Sequence, residues 1–190
     1  MDFNLQSLLE DSGALLGGHF LLTSGLHSDR YIEKFRLLEQ PQALDMAAAA
    51  MAEGINPNEV DVVLSAAVGG ILLAGAVGRI LARRTMFTER VNGVMVLRRG
   101  FTLAPAERVL VVEDIVTTGG SVFELLEVVS RSEAKIQSVV CLVDRSEKGV
   151  DFGIPGRVLL RLPIDTWEPE ACPLCQQGLP LIKPGRSGKR

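Results

Sequence analysis

Two adjacent carboxylates, Glu113 and Asp114, end an apolar run and directly precede a loop rich in hydroxyl groups and glycine. A helix that begins after such a loop offers unpaired N–H groups and about half a positive charge at its N-terminus. The pattern therefore predicts a site for a phosphate monoester. It matches neither the P-loop, which needs a lysine, nor GxGxxG. The loop residues expected to bind the phosphate are Thr117, Thr118, Gly119, Gly120 and Ser121.

The two carboxylates suit a neutral group beside that phosphate, because a carboxylate that faced the phosphate itself would repel it. A ribose diol supplies two hydroxyl donors, and each hydrogen bond to a charged acceptor contributes about 1.5–3 kcal/mol. The stretch therefore predicts a ribose 5-phosphate site. The alternative is structural: Asp114 caps the helix, and the hydroxyl and glycine residues only make the turn.

The elements that must position this loop are alternating apolar strands and helices. Continuous runs of Val and Leu indicate strands that are buried on both faces of a parallel sheet. We predict a doubly wound α/β fold, with a mostly parallel central sheet flanked by helices and ligands at the carboxyl ends of its strands. The predicted strands are 61–67, 85–89, 94–99, 108–114, 136–144 and 157–164, and the predicted helices are 41–55, 71–84 and 121–133.

The bulk composition limits the possible partners. The chain has 190 residues, a net charge of −3 and a pI of about 5.5, so we expect no nucleic-acid partner. The 17 uncharged residues 62–78 approach the length of a membrane span, but their glycines favour a strand, a turn and a helix. Acidic residues at the start and only three cysteines favour a cytoplasmic protein without a membrane partner.

The two ends of the chain are less regular than the middle. We divide the sequence into an N-terminal segment (1–40), an α/β core (41–165) and a C-terminal extension (166–190) that gains proline and basic residues. Cys172 and Cys175 form one CxxC pair, which is half of a zinc site. Because His19 and His27 stand at the other end of the chain, we expect a turn with two ordinary thiols. The alternative is a structural zinc site, shared across a dimer.

The stretch 111–121, VVEDIVTTGGS, resembles the phosphoribosyl-pyrophosphate (PRPP) signature of type I phosphoribosyltransferases. That signature has apolar residues, two acids, two apolar residues and then T-[TA]-G-[GT]-[ST]. The resemblance implies the fold of this family, with residues 1–40 as a small hood that binds the base. It also implies that Glu113 and Asp114 bind the ribose hydroxyls and that residues 117–121 bind the 5′-phosphate.

Two further segments resemble orotate phosphoribosyltransferases in particular. Residues 20–32 are similar to the F-x-L-x-S-G-x-x-S-x-x-Y segment that frames the pyrimidine, and residues 142–147 resemble the strand end whose arginine faces orotate. A planar guanidinium matches a carboxylate, which orotate carries. The alternative for Arg145 is a surface arginine paired with Asp144 or Glu147. The implied orotate-binding residues are Ser24, Tyr31, Thr117 and Arg145.

The expected pyrophosphate site departs from the family pattern. Residues 65–74 resemble the pyrophosphate loop, and the alternative is an ordinary strand-to-helix turn. Many orotate enzymes carry lysines at the positions of Thr23 and Gly69, and in a mobile catalytic loop. Here the loop 88–101 has three bases, so we expect arginine to neutralise the pyrophosphate. The implied pyrophosphate contacts are the backbone amides of Val68, Gly69 and Gly70. The three loop bases are Arg90, Arg98 and Arg99, of which the last two are alternatively solvated charges of a strand.

The resemblance implies a pentosyltransferase that acts on PRPP and orotate in pyrimidine biosynthesis. Mg²⁺ would be the cofactor, bound mainly through PRPP and to the two acids through water. The implied catalytic residues are Glu113, Asp114 and Arg90. The family also implies a homodimer with shared active sites, in which Arg90 reaches across. The alternatives are a non-catalytic PRPP-binding regulator and a purine or xanthine phosphoribosyltransferase.

Overall fold

The computed structural model describes residues 3–184, so residues 185–190 of the predicted C-terminal extension lie outside the described residues, as do residues 1–2. The helices are α1 (Leu5–Asp11), α2 (Phe35–Leu38), α3 (Pro41–Ala52), α4 (Gly70–Leu81), α5 (Gly120–Arg131) and α6 (Pro173–Gln176). The strands are β1 (Leu15–Leu21), β2 (His27–Ile32), β3 (Val62–Ala66), β4 (Arg84–Val91), β5 (Val94–Leu97), β6 (Arg108–Val116), β7 (Lys135–Asp144), β8 (Gly156–Arg161) and β9 (Thr166–Trp167).

Six strands form the central sheet, in the order β5-β4-β3-β6-β7-β8. All neighbouring strands are parallel except β4 and β5, which form an antiparallel hairpin at one edge. The hairpin turns at Asn92 and Gly93, where φ is 51° and 82°. Positive φ at both central residues suits a tight hairpin turn. The predicted mostly parallel sheet is confirmed.

Helices cover both faces of this sheet, as the continuous apolar strands predict. Side chains of a strand alternate between faces, and β6 shows the result: Leu110 and Val112 belong to the core under α3 and α4, whereas Val109 and Val111 belong to the core under α5. The stretch 62–78 divides into β3 and α4. No helix within residues 3–184 is long and apolar enough to cross a membrane.

A second sheet has three strands in the order β1-β2-β9. We use the name hood for this sheet and the segments that pack on it, which extends the predicted hood of residues 1–40. Its third strand comes from the C-terminal extension: Trp167 pairs with His27, and Thr166 pairs with Ser28. The extension then returns along the other side of β1, where Ile182 bridges to Phe20. Residues 166–182 therefore pack against β1 and β2, although they are distant from these strands in sequence.

The expectation that two histidines lie far from the CxxC pair is wrong. His19, His27, Cys172 and Cys175 form one cluster, because β9 pairs with β2 and delivers the cysteines to the hood. Cys141 is fully buried within β7. Burial raises the pKa of the Cys141 thiol to about 12, so this residue is a packing thiol rather than a nucleophile.

Candidate active site

The candidate site lies where β3, β6 and β7 end at the same edge of the sheet. From β3 the chain continues to β4 on one side, and from β6 it continues to β7 on the other. The gap between β3 and β6 is therefore the topological switch point, where open α/β sheets bind ligands. The sheet ladder extends β6 to Val116, two residues beyond the prediction, since Ile115 and Val116 pair with β7.

Glu113 is a buried carboxyl group with one unpaired oxygen. Its Oε1 accepts a hydrogen bond from the Asp114 backbone N–H at 3.0 Å. Its Oε2 is buried and has no hydrogen-bond partner among the described residues. Burial, followed by the charge of Asp114, raises the pKa of Glu113 to about 8. An unpaired buried oxygen of this kind can accept a hydrogen bond from a ligand hydroxyl.

Asp114 has a different environment, because adjacent side chains of a strand point to opposite faces. Its Oδ1 accepts from the Ile115 backbone N–H at 2.6 Å, and its Oδ2 lies 2.5 Å from Lys34 Nζ in an ion pair. Lys34 stands between β2 and α2 and is a site residue that the sequence interpretation missed. It lies close to the resembling segment 20–32, but no spacing rule connects it to Asp114.

Lys34 also explains why residue 69 is glycine. A Cβ atom built on Gly69 would overlap both Asp114 Oδ2 and Lys34 Nζ. The ion pair between Lys34 and Asp114 therefore excludes a side chain at residue 69. Lys34 itself supplies a positive charge beside that position. Residues 68–70 lie directly after β3, and Val68 is 70% exposed. The peptide bond between Ala67 and Val68 is cis.

The loop after β6 forms a polar cup at the N-terminus of α5. Gly119 has φ of 80° and precedes the helix, and no described side chain caps it. A Cβ at Gly119 would lie 2.7 Å from Val150 and 3.1 Å from Phe152. Both the positive φ and this lack of space therefore exclude a larger residue at position 119. The cup encloses about 220 Å³. It is lined by Glu113, Arg90, Glu124 and the predicted phosphate residues Thr117, Thr118, Gly119, Gly120 and Ser121.

Arg90 is the base that reaches this cup. Its guanidinium forms two hydrogen bonds of 2.7 Å with Glu124 of α5 and a third, of 3.0 Å, with the Gly93 carbonyl. The hydrogen bonds to Glu124 raise the pKa of Arg90 further. Arg99 pairs instead with Glu89 at 2.9 Å, and Arg98 is exposed. The structure thus brings Arg90, and not the other two loop arginines, to the polar cup.

Arg145 follows β7 and is tied to β6, since its backbone N–H donates to the Val116 carbonyl at 2.8 Å. Its Nε is buried without a hydrogen-bond partner in the described part of the chain. Burial lowers the pKa of Arg145. Among residues 3–184, Arg145 forms no ion pair with Asp144 or Glu147. Asp144 accepts instead from Ser146. This half-buried guanidinium suits an anionic ligand rather than a surface ion pair.

Tyr31 and the neighbours of Ser24 line a separate cavity of about 280 Å³ in the hood. Burial raises the pKa of Tyr31, and the charge of Arg145 acts on it in the opposite direction. Ser24 is exposed in the turn between β1 and β2, where its Oγ accepts from the Leu26 N–H at 3.4 Å. The cavity also contains Lys183 of the C-terminal extension, a second base that the sequence interpretation missed.

Comparison with known proteins identifies relatives along almost the whole chain. The phosphoribosyl transferase domain family matches residues 36–153. The chain is 46% identical to the orotate phosphoribosyltransferase of Thermotoga maritima over 184 residues, which cover 97% of this chain and 98% of that protein. It is 44% identical to that of Caldicellulosiruptor bescii over 182 residues, with 96% of both covered. The crystal structure of orotate phosphoribosyltransferase from Aeropyrum pernix superposes with a TM-score of 0.69 at 28% identity, over 84% of this chain and 94% of that chain.

Proposed function

Because the chain belongs to the orotate phosphoribosyltransferase family, we propose that it transfers the 5-phosphoribosyl group from PRPP to orotate. The products are orotidine 5′-monophosphate and pyrophosphate, and the reaction serves pyrimidine biosynthesis. The observation that carries the proposal is the common edge of β6 and β7. An unpaired carboxyl oxygen of Glu113, an uncapped helix N-terminus and the unpaired Nε of Arg145 lie there together. They match a ribose hydroxyl, a phosphate and an orotate carboxylate.

The phosphoribosyl group is held by two kinds of contact in this proposal. The 5′-phosphate binds the hydroxyls and N–H groups of residues 117–121, where the helix dipole favours an anion. The unpaired Oε2 of Glu113 forms a hydrogen bond with one ribose hydroxyl, and Asp114 accepts from the other. The pyrophosphate of PRPP lies along the backbone amides of Val68, Gly69 and Gly70, within reach of Lys34 and of Arg90. Both of these cations are paired with acids in the free protein.

Orotate binds under the hood in this proposal. Arg145 forms two parallel hydrogen bonds with its carboxylate, and Tyr31, Ser24 and Thr117 contact the ring and its carbonyl groups. The half-buried position of Arg145 supports this assignment, because a partly desolvated guanidinium without an acid needs an anionic partner. Uracil, which lacks the carboxylate, is expected to be a much poorer substrate.

Mg²⁺ fits the residues at this edge. Mg²⁺ keeps several waters and binds phosphate oxygens, so PRPP supplies most of its ligands. The orphan Oε2 of Glu113 and the carboxylate of Asp114 are hard oxygen acceptors that would hold its bound waters. When bound, the ion neutralises part of the charge on the pyrophosphate. The protein residues position that group and need no direct bond to the metal.

The reaction needs no protein nucleophile. The bond between the anomeric carbon and a pyrophosphate oxygen breaks, the ring nitrogen of orotate bonds to the same carbon, and the proton of that nitrogen passes to the departing pyrophosphate or to solvent. The protein holds the nitrogen in line with this carbon and stabilises the departing pyrophosphate. In this proposal Glu113 and Asp114 orient the ribose, and Arg90 stabilises the leaving group.

We also infer a homodimer, because the hairpin β4–β5 exposes Val91 and Val94, which a second copy would cover. The structure places Arg90 in the cup of its own chain, so the expected reach into a neighbouring active site would require Arg90 to leave Glu124. Light scattering of the purified protein tests the assembly, and a monomer that keeps full activity would contradict it. The low cysteine content supports a cytoplasmic location.

The decisive assay is the PRPP-dependent loss of orotate absorbance in the presence of Mg²⁺. Uracil, hypoxanthine and xanthine should be tested in parallel at the same concentration. Consumption of orotate alone supports the proposal. Consumption of a purine in place of orotate, or PRPP binding without turnover of any base, would overturn it.

A further inference from the structure

Four side chains of the hood converge at a point outside the candidate active site. They are His19, His27, Cys172 and Cys175, and one ligand atom from each lies within 4.8 Å of all the others. Cys172 Sγ is 3.5 Å from His19 Nε2, and Cys175 Sγ is 3.7 Å from the same atom. Cys175 Sγ is 3.3 Å from His27 Nδ1, which is 3.0 Å from His19 Nε2. Two thiols and two imidazoles thus face a common centre.

These distances agree with the edges of one coordination tetrahedron. With zinc–sulfur bonds of about 2.3 Å and zinc–nitrogen bonds of about 2.0–2.1 Å, tetrahedral geometry separates neighbouring ligand atoms by roughly 3.3–3.8 Å. Three of the four measured distances fall in this range, and the two imidazole nitrogens lie slightly closer. A Cys₂His₂ set is a common ligand set of structural zinc, and it leaves no coordination position for a substrate.

The pairing of β1 with β2 orients the two histidine side chains toward the common centre. On β1, the two residues Gly18 and His19 lie opposite the single residue Asp29 of β2, which makes a bulge beside the cluster. A bulge redirects side chains, and here it accompanies a histidine that faces the same point as His27. The Nδ1 of His19 lies 2.9 Å from the Leu179 carbonyl. Donation to that carbonyl leaves the lone pair of Nε2 for a metal, as in many zinc sites.

The cysteines arrive from the other end of the chain. Strand β9 pairs with β2 at His27, and Cys172 then precedes the short helix α6, which carries Cys175 one turn later. Three of the four residues are almost inaccessible to solvent, and Cys175 lies at the surface. The cluster therefore connects two segments that are distant in sequence, the strands β1 and β2 and residues 172–175.

We propose that His19, His27, Cys172 and Cys175 bind one structural zinc ion, which fastens the C-terminal segment to the hood. The ion joins β1 and β2 to residues 172–175. It thereby fixes the chain that follows, in which the Ile182 N–H donates to the His19 carbonyl at 2.7 Å. That return places Lys183 in the cavity that contains Tyr31. The site thus stabilises one wall of this cavity and takes no part in bond making.

Metal content is the direct test. The full chain, purified under reducing conditions without an affinity tag that binds metal, is analysed by mass spectrometry for metals after dialysis against zinc. One zinc per chain is expected. Cys175→Ser should lose it, and this substitution is mild because Cys175 lies at the surface. The matched control is Cys141→Ala, which removes the third cysteine, outside the cluster, and should retain one zinc per chain.

Two further measurements keep the proposal open to refutation if a variant folds poorly. Replacement of the metal by Co²⁺ in the unmodified protein should give the intense visible bands of tetrahedral cobalt with thiolate ligands. A strong chelator should lower the Tm of the unmodified protein but not that of Cys175→Ser. Failure of the unmodified protein to retain zinc, a Cys172–Cys175 disulfide under these conditions, or equal zinc content in Cys175→Ser would overturn it.

Discussion

Replacement of Glu113 by Gln should change how the stability of the protein depends on pH. Glu113 is 5% exposed, and burial together with Asp114 raises its pKa from the usual 4.5 to about 8. Glutamine keeps the shape of the protonated carboxyl and can still accept from the Asp114 backbone N–H. The substitution therefore removes one ionisation and little else.

The sign follows from where the proton resides. Below pH 4.5 the carboxyl is protonated in the folded and unfolded chains, so its ionisation costs nothing. Between pH 4.5 and about 8 the unfolded chain releases the proton while the folded chain retains it, and stability falls by up to about 1.36 kcal/mol per pH unit. Above both pKa values the accumulated cost is about 3–5 kcal/mol, and the Gln variant avoids it.

Urea unfolding in the absence of PRPP, followed by circular dichroism between about pH 5 and pH 8.5, measures this difference. The two proteins should have similar free energies of unfolding at the acidic end, and the variant should be more stable at the basic end. Glu127→Gln is the matched control, because Glu127 lies exposed on α5, which borders the cup, and within residues 3–184 it pairs only with Arg131. Parallel curves for Glu113→Gln and the unmodified protein would show that the folded protein ionises Glu113 at its ordinary pKa.

Three further substitutions test the roles of individual cations. Arg145→Ala should raise the KM for orotate roughly tenfold to a hundredfold, because a charged hydrogen bond contributes about 1.5–3 kcal/mol, with little change in the KM for PRPP; equal changes would contradict the assignment. Arg90→Ala should raise the KM for PRPP, because the substitution removes a cation and leaves Glu124 as an unpaired acid in the polar cup. Glu124→Gln, added to Arg90→Ala, removes that acid and should lower the KM for PRPP again in part. Steady-state kinetics in which the double variant shows no such recovery would exclude the role of Arg90 in neutralising Glu124. Lys34→Met should lower the free energy of unfolding by about 1–3 kcal/mol, because it leaves the carboxylate of Asp114 buried without its cation. In a double-mutant cycle, Asp114→Asn should recover most of this lost stability. Purely additive losses would show that Lys34 and Asp114 are not coupled.

The central sheet could be predicted from the sequence because each buried strand is a local apolar run. Strand β6 and helix α5 follow the predicted positions closely, and the cores on both faces account for the absence of alternation in VLVV. Strand β9 could not be predicted, since two residues carry no periodicity. Its pairing is determined by the hood strand that it meets, and that contact is visible only in the folded chain.

In the candidate site too, residues that are adjacent in sequence could be predicted, whereas contacts between distant segments could not. Glu113, Asp114 and residues 117–121 are adjacent in sequence, so their common location at a strand end could be inferred directly. Lys34 and the four-ligand cluster depend on contacts between distant segments. One clue to the cluster was present, since the two histidines of the chain stand eight positions apart in one segment and could complete a CxxC pair.

The arrangement of charges explains how an acidic chain can bind a highly anionic substrate. Two cations at the site are held by acids of the same chain: Lys34 by Asp114 and Arg90 by Glu124. In the proposed binding mode, the pyrophosphate competes with those carboxylates for the cations, and Asp114, once released, can accept from a ribose hydroxyl or a metal-bound water. In this proposed mode the two cations therefore exchange their ion pairs with Asp114 and Glu124 for contacts with the pyrophosphate. The side chains of Lys34 and Arg90 are already ordered by these ion pairs in the free protein, so they lose little conformational entropy when the substrate binds. A site preorganised in this way favours stabilisation of the departing pyrophosphate.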